Sequence, residues 1–304
     1  MNYGLPYQGS KSKIAPWVIE HLPEADNLYD LFGGGGAITH AALLSDKWKT
    51  VYYNDIQKGL TQLFVDAVNG KYKNETEWIS REEFFKRNET DMYVRYCWSF
   101  GNIGNAYLYG KPIEEYKHGI HNAVLFQDYD ILKKFGVDFK SDKKTVKERK
   151  TEYNKYIKEN KARLKQLWKE KCEILSEEKP DNMLLQLQSL ESLERLQSLE
   201  RLERLQRLVA SCKSYDEFEI LQNSVIYCDI PYFNTAKYCE QNFDYEKFYD
   251  WCEKQTVPVY ISEYWMPEDR FECISEKEVT RKLYGVSSKK CNEKLFIPKR
   301  KDTV

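Results

Sequence analysis

Residues that could do chemistry follow one short apolar run, Val225 to Cys228, which we predict to be a buried strand. Asp229, Pro231 and Tyr232 come directly after it. In open α/β sheets, side chains at the carboxyl ends of strands face the crevice where ligands bind. An acid beside an aromatic ring suits a flat ligand with polar edges, held by hydrogen bonds and by stacking. The alternative is a strand that runs into an ordinary proline-containing turn.

A second candidate site lies near the amino terminus, where the glycines Gly33–Gly36 separate a predicted strand over 28–32 from a predicted helix over 37–44. Strand, glycine-rich turn and helix in this order are typical of sites for nucleotide-type ligands. Glycines let the backbone approach the ligand, and the helix N-terminus offers free N–H groups to a negative group. The spacing of these glycines differs from the GxGxxG motif of dinucleotide sites, although a dinucleotide ligand is still open. The structural alternative is a flexible loop without a ligand.

Two further polar residues could complete a ligand site. Lys11 follows a turn at residues 7–10 that contains small residues, and a lysine beside such a turn suits a carboxylate or phosphate. The structural alternative is an ordinary solvated turn. Asp55 lies in a predicted strand over 51–56, about 20 residues after the glycines, where an acid can accept hydrogen bonds from ribose hydroxyls. Capping of a helix predicted over 57–68 is the structural alternative for Asp55, and the two roles are compatible.

Composition excludes several classes of protein. No apolar stretch of the 304 residues approaches the roughly 18 residues of a membrane span, and the first residues lack the apolar core of a signal peptide. The eight cysteines form no CxxC pair, and the four histidines form no HExxH motif. We therefore expect reduced thiols, a cytoplasmic setting, no membrane association and no metal site.

The middle of the chain differs in character from both ends. Residues 133–171 carry 15 Lys and Arg against 6 Asp and Glu, which predicts either a nucleic-acid surface or a solvated charged helix, with one long helix over 143–171. Residues 96–110 are rich in Gly, Asn and aromatic types, which could read bases or form an ordinary loop. Leucines recur at every third position from 187 to 208, a spacing that matches neither a coiled coil nor a one-faced helix. Helix propensity still favours a helix there, either as a spacer or packed on several sides.

Alternating strands and helices at both ends, with an insertion between them, predict a parallel-type α/β sheet. We expect residues 1–68 and 209–304 to form a Rossmann-like sheet with helices on both faces. Residues 69–208, including the leucine-rich repeat at 184–208, should form an inserted, mainly α-helical region. The remaining predicted elements are a helix over 14–22, strands over 209–212 and 225–228, a short helix over 215–221, a helix over 243–254, and strands over 257–264, 272–284 and 293–297.

Four stretches in a fixed order carry a resemblance to a known family: residues 7–11 (YQGSK), 30–36 (DLFGGGG), 54–55 (ND) and 229–232 (DIPY). Together they resemble the Dam-type DNA adenine methylases, including bacteriophage members. The resemblance covers about residues 1–68 and 209–300, and the family carries its target-recognition domain where the middle region lies. It implies a class I methyltransferase fold, S-adenosylmethionine as cofactor, double-stranded DNA as partner, and methylation of N6 of a flipped-out adenine.

The resemblance also implies roles for particular residues. Asp229 and the Pro231 carbonyl would accept hydrogen bonds from the target amino group, and Tyr232 would stack on the flipped base. The implied cofactor-binding residues are Tyr7, Lys11, Asp30, Phe32, Gly33, Gly34, Gly35, Asp55, Ile56, Tyr215 and Asp229.

One position departs from the family pattern, because Ile230 stands where the usual tetrad Asp-Pro-Pro-Tyr has its first proline. A proline restricts the residue before it, so Asp229 should be held less tightly here. The rRNA adenine dimethyltransferases use an Asn-Ile-Pro-Tyr form. An RNA adenine-N6 methyltransferase and a catalytically weakened protein that binds S-adenosylmethionine and DNA are therefore the alternatives.

Overall fold

A computed structural model describes residues 2–171, 188–199, 205–232, 243–281 and 289–299. The chain divides into two compact units. The first contains Met1–Leu5, Gly9–Gly70 and Gln197–Val304, and the second contains Pro6–Gln8 and Lys71–Leu196. The described helices are α1 Ala15–His21, α2 Ala37–Leu44, α3 Leu60–Val68, α4 Arg81–Arg87, α5 Met92–Cys97, α6 Lys111–Phe126, α7 Asp130–Lys134, α8 Val146–Glu159, α9 Lys161–Lys171, α10 Gln188–Leu199 and α11 Tyr245–Lys254.

The first unit is built on a sheet in which the described residues form seven strands. The strands are β1 Asn27–Asp30, β2 Thr50–Asn54, β3 Leu208–Ser211, β4 Ser224–Cys228, β5 Val259–Glu263, β6 Phe271–Arg281 and β7 Lys289–Pro298. Their spatial order is β3-β2-β1-β4-β5-β7-β6. The first five strands in this order are parallel, whereas β7 runs antiparallel to β5 and to β6. The predicted α/β sheet is confirmed, with the correction that β7, which runs against the other described strands, makes it mixed.

Helices cover both faces of this sheet, as the sequence predicts. Successive side chains of a strand point to opposite faces. On one face, Tyr29 of β1 and Cys228 of β4 belong to an apolar cluster with Phe248 of α11. On the other face, Asp30 of β1 accepts hydrogen bonds from Thr39 of α2. Every residue of β1 and β4 is buried, as expected for central parallel strands.

Two predicted helices are wrong in their extent. The helix expected over 215–221 is a single 3-10 turn, Tyr215–Glu217. The chain then continues in an extended conformation, because alternate side chains, Phe218 and Ile220, pack against the apolar cluster. The basic helix expected over 143–171 is divided into α8 and α9 at Asn160. The Asn160 backbone amide makes a helical bond to the Tyr156 carbonyl, and the Asn160 side-chain amide donates to the same carbonyl. Such a side-chain bond competes with the helix ladder.

The described regular elements of the second unit are helices, α4 to α9 and most of α10. Arg149 of the basic segment is buried there and has a structural role. Its guanidinium donates to the carbonyls of Val124 and Leu125 in the last turn of α6, and to those of Lys143 and Lys144. A cation placed there satisfies carbonyls that lack helical partners and interacts well with the helix dipole.

The described part of the leucine repeat is a helix, α10, and its leucines are buried. Leu190, Leu193 and Leu196 are at most 7% exposed. A step of three residues turns a helix by about 300°, so three such leucines spread over about 120° of its surface. Ser189 is also buried and bonds to the Tyr109 hydroxyl. The repeat therefore packs on several sides over this part, whereas residues 184–187 and 200–204 lie outside the described ranges.

None of the helices described is long and apolar enough to cross a membrane.

Candidate active site

The carboxyl ends of β1 and β4 lie side by side where the strand order of the sheet reverses. From β1, the order proceeds through β2 to β3 in one direction and through β4 to β5 in the other. Such a reversal opens a crevice in which α/β proteins bind ligands. Asp30 ends β1, and Asp229 directly follows β4. Two acids that the sequence assigned to separate motifs therefore stand at one crevice.

Asp30 is fully buried, and its two carboxylate oxygens differ. Oδ2 accepts hydrogen bonds from the Thr39 backbone amide at 3.1 Å and from the Thr39 hydroxyl at 2.7 Å. Oδ1 has no hydrogen-bond partner among the described residues. Burial raises the pKa of Asp30 to about 7, against the hydrogen bonds from Thr39, and the charges of Asp229 and Asp55 add to the rise. An unpaired buried oxygen is unfavourable, so this site favours a ligand that brings a donor or a positive charge.

The glycine turn between β1 and α2 is a packed element and not a flexible loop. The Gly33 amide donates to a carbonyl at the end of β2 at 2.8 Å, and the Tyr53 hydroxyl donates to the Gly34 carbonyl at 2.7 Å. Gly36 has a φ of +69° and precedes α2. A Cβ at Gly36 would lie 2.6 Å from the ring of Phe64, so only glycine fits there.

Gly4 and His40 support this turn from outside, and the sequence analysis missed both. The Gly4 amide donates to His40 Nδ1 at 3.0 Å, and the next amide, that of Leu5, donates to the Gly35 carbonyl at 2.6 Å. Gly4 has a φ of +69°, and a Cβ there would clash with the Gly35 oxygen. The only signal available was the glycine itself, and its close approach to the turn depends on the tertiary structure.

Asp55 lies directly against the glycine turn. Its Oδ2 accepts a hydrogen bond from the Gly34 amide at 2.8 Å, and its Oδ1 accepts one from the Gln57 amide at 2.8 Å. The alternative of a helix cap is wrong, because α3 has Gly59 as its N-cap. Burial raises the pKa of Asp55, against these two hydrogen bonds. The neighbouring Ile56 is 57% exposed and offers an apolar surface beside the acid.

Lys11 connects the amino-terminal turn with the tetrad. Its ammonium lies 2.8 Å from Asp229 Oδ1 and 4.6 Å from the centroid of the Tyr232 ring. The Lys11 and Asp229 side chains are 10% and 20% exposed, so water screens this ion pair only partly. Burial raises the pKa of Asp229 to about 6, although Lys11 lowers it, and the charge of Glu293 contributes to the rise.

Tyr232 is held at its hydroxyl by an acid that the sequence analysis did not assign to the site. The hydroxyl donates to Glu293 Oε2 at 2.6 Å. The Tyr264 hydroxyl donates to Glu293 Oε1 at 3.2 Å, and the two tyrosine rings meet edge to face at 4.5 Å. Glu293 begins a predicted strand, and an acid two residues before the apolar run Leu295–Ile297 was the signal that could have identified it.

The two middle residues of the tetrad have separate environments. Ile230 is 1% exposed and belongs to the apolar cluster that contains Phe248. The Pro231 carbonyl accepts a hydrogen bond from the Tyr245 hydroxyl at 2.9 Å. A carbonyl oxygen has two lone pairs, so Pro231 can still accept a second hydrogen bond.

The remaining predicted cofactor residues are aromatic. The rings of Phe32 and Tyr215 stack at 5.4 Å with an interplanar angle of 29°, so the structure brings these two together in the first unit. Tyr7 belongs to the second unit, where its ring contacts Tyr96 at 5.4 Å.

In the stretch 96–110, most aromatic side chains are core residues of the second unit. Phe100 is the exception at 42% exposed, and it begins a loop closed by a β-bridge between Ser99 and Tyr107. The buried aromatic residues are Tyr96, Trp98, Tyr107 and Tyr109. Among the aromatic side chains of this stretch, Phe100 is therefore the one available to stack on a base.

These features define a class of protein. They are those of a Rossmann-like methyltransferase. The sheet has seven described strands and ends in an antiparallel pair, a glycine turn follows Asp30 at the end of β1, and the acid–aromatic tetrad follows β4. A family model for the D12 class N6 adenine-specific DNA methyltransferases matches residues 7–184, which is more than half of the chain. The chain belongs to this family and is an adenine-specific DNA methyltransferase that acts on N6. A comparison with curated proteins gives no match.

The matched span contains Lys11, the glycine turn and Asp55, whereas the tetrad at 229–232 follows it in the chain. The membership favours DNA methylation over the two alternatives that Ile230 raised, an RNA methyltransferase and a weakened binding protein.

Proposed function

We propose that this enzyme transfers the methyl group of S-adenosylmethionine to N6 of an adenine that is flipped out of double-stranded DNA. The observation that carries the proposal is the placement of Asp30 and Asp229 at one topological switch point. Asp30 is followed by a glycine turn that can hold a cofactor, and Asp229 is followed by the ring of Tyr232.

The cofactor half of the site has the donor and acceptor groups that S-adenosylmethionine requires. When bound, this cofactor supplies an electrophilic methyl group carried on a sulfonium. The buried, unpaired Oδ1 of Asp30 suits the ammonium of its methionine part. The carboxylate of Asp55 has lone pairs left for ribose hydroxyls, and the exposed Ile56 suits the apolar face of a ring. Lys11 suits the negative carboxylate of the methionine part.

The base half has to activate a weak nucleophile. The exocyclic amine of adenine reacts poorly because its lone pair is delocalised into the ring. Two acceptors, the Asp229 carboxylate and the Pro231 carbonyl, would draw the nitrogen towards a tetrahedral geometry and aim its lone pair. Positioning of this kind contributes roughly 7–11 kcal/mol in favourable systems. Flipping the base costs a few kcal/mol, of which stacking on Tyr232 would offset ~1–3 kcal/mol.

The inserted region, residues 69–208, would contact the DNA around the target base. Its basic helices α8 and α9 carry exposed cations that suit phosphates, namely Lys147, Lys155, Lys158, Lys161 and Arg163. The exposed ring of Phe100 suits a base step or a splayed base. Arg149 is excluded from this role, because its guanidinium is used within the unit.

The test uses the purified protein, labelled S-adenosylmethionine and duplex DNA of mixed sequence, with structured RNA as a second substrate. We expect label on adenine N6 in the duplex. Asp229→Ala should abolish transfer while the circular dichroism spectrum is unchanged, and Asp26→Ala is the matched control because Asp26 is a surface acid beside β1. Unlabelled duplex DNA, or near-normal transfer by Asp229→Ala, contradicts the proposal.

A further inference from the structure

Glu293 stands at an unusual position for an acid. It lies on β7 two residues before Leu295, so the two side chains point to the same face of the strand. Leu295 is fully buried and Glu293 is 5% exposed. Burying a carboxylate is costly unless hydrogen bonds compensate, and an apolar side chain would pack there at a smaller cost. A role beyond packing is therefore indicated.

Both oxygens of Glu293 are occupied by tyrosine hydroxyls. Oε2 accepts from Tyr232 at 2.6 Å, and Oε1 accepts from Tyr264 at 3.2 Å. Hydrogen bonds to a charged acceptor are short and are about twice as strong as neutral ones. The acid therefore restrains the far end of the Tyr232 ring, and the edge-to-face contact with Tyr264 restrains the same ring from the side.

The other surroundings of Tyr232 make this restraint important. The ammonium of Lys11 lies over its ring and also pairs with Asp229. A rotation of the ring would therefore disturb both the stacking surface and the carboxylate beside it. A misplacement of about 1 Å can lower a rate about 100-fold, so a site of this kind depends on a fixed ring.

We propose that Glu293, with Tyr264, is a positioning residue that fixes the Tyr232 ring for the flipped adenine. This inference rests on the proposed stacking role of Tyr232. Glu293 does not touch the base in this proposal. It acts on the ring through the Tyr232 hydroxyl, and its charge also contributes to the raised pKa of Asp229. It should therefore affect the rate of transfer to DNA and leave the binding of S-adenosylmethionine unchanged.

The test compares Glu293→Gln, Tyr232→Phe and the double variant in methyl transfer to duplex DNA at about pH 8, well above the pKa of about 6 of Asp229, so that this acid is ionised in every variant. We expect Tyr232→Phe to lower kcat about tenfold, the order of magnitude of a lost hydrogen bond to a charged group. Glu293→Gln keeps a neutral acceptor, which makes the bond about half as strong, so it should lower kcat about threefold. The double variant should be no slower than Tyr232→Phe, because Glu293→Gln weakens the same bond that Tyr232→Phe removes. Calorimetry should give wild-type affinity for S-adenosylmethionine in Glu293→Gln.

The matched control is Glu278→Gln, because Glu278 lies on the neighbouring strand β6 and is 58% exposed in its ion pair with Lys290. It should keep the wild-type kcat. A wild-type kcat in Glu293→Gln, or effects of the two single variants that multiply, would overturn the inference. If Glu293→Gln does not fold, Tyr232→Phe removes the bond from the other side, and a full rate in that variant also overturns it. Failure of the wild-type protein to methylate DNA counts against the proposed function instead.

Discussion

Asp30→Asn should remove the pH dependence of cofactor binding. Burial raises the pKa of Asp30 to about 7, and only the ionised carboxylate attracts the ammonium of S-adenosylmethionine. A bound cation would lower this pKa towards its ordinary value of 3.8. Below pH 7, Asp30 therefore has to lose a proton when the cofactor binds.

The size and sign of the effect follow from this proton. One proton released per cofactor bound makes the affinity fall by up to about tenfold for each pH unit below 7. The free energy of unfolding without added cofactor changes with pH in the opposite direction to the cofactor affinity. Because the folded pKa of about 7 is above the ordinary 3.8, the folded protein binds more protons than the unfolded chain in that window. Asp30 therefore contributes more stability as the pH falls from about 7 towards 4.

Calorimetric titration with S-adenosylmethionine from about pH 5 to about pH 8 measures how steeply the affinity changes with pH. Asp30→Asn keeps an acceptor for Thr39, so the fold should survive, and it should weaken binding at pH 8 roughly 10- to 150-fold with a flat profile below that pH. Asp26→Asn, which changes an acid that is 42% exposed, should keep the wild-type slope. A flat wild-type profile, or an unchanged slope in Asp30→Asn, would refute the reasoning.

Three further substitutions test the neighbouring structure. Gly4→Ala forces a left-handed residue against the Gly35 oxygen, so we expect a loss of about 1–3 kcal/mol in denaturant unfolding and weaker cofactor binding by calorimetry. Lys11→Met removes the cation that lowers the pKa of Asp229, so the acid limb of the pH–rate profile at saturating cofactor should move above pH 6. A limb that moves to lower pH would contradict the ion pair. Arg149→Ala leaves four carbonyls without their donor and should lower the thermal midpoint of the folded protein, whereas Lys155→Ala, at an exposed position on the same helix, should leave it unchanged.

Much of the fold was accessible from local patterns. The helix at 37–44 was predicted with the observed bounds, and the strands around 28–32, 51–56 and 225–228 were predicted to within a few residues. The failures occurred where tertiary contacts override local preference. Phe218 and Ile220 extend the chain where a helix was predicted, because both pack against the apolar cluster. The direction of β7 is likewise a property of pairing between distant strands, which periodicity does not encode.

The candidate site divides in the same way. Asp55 and Asp229 were named as candidates because each ends or follows an apolar run, a pattern that depends only on near neighbours. Asp30 was named through the resemblance to the family. Glu293 and Gly4 were missed because their importance lies in contacts with distant residues. Tyr232 and Glu293 are 61 positions apart in the chain, but the Tyr232 hydroxyl lies 2.6 Å from Glu293 Oε2.

The sequence by itself determined the family, the glycine turn and the acid–aromatic tetrad, since residue types and short spacings carry these features. The tertiary structure decided which groups meet: Lys11 with Asp229, Asp55 with the glycine turn, and Tyr232 with Glu293. The physical reason is that hydrogen bonds and ion pairs act over a few ångströms. Only the order and pairing of the strands bring such distant residues within that range.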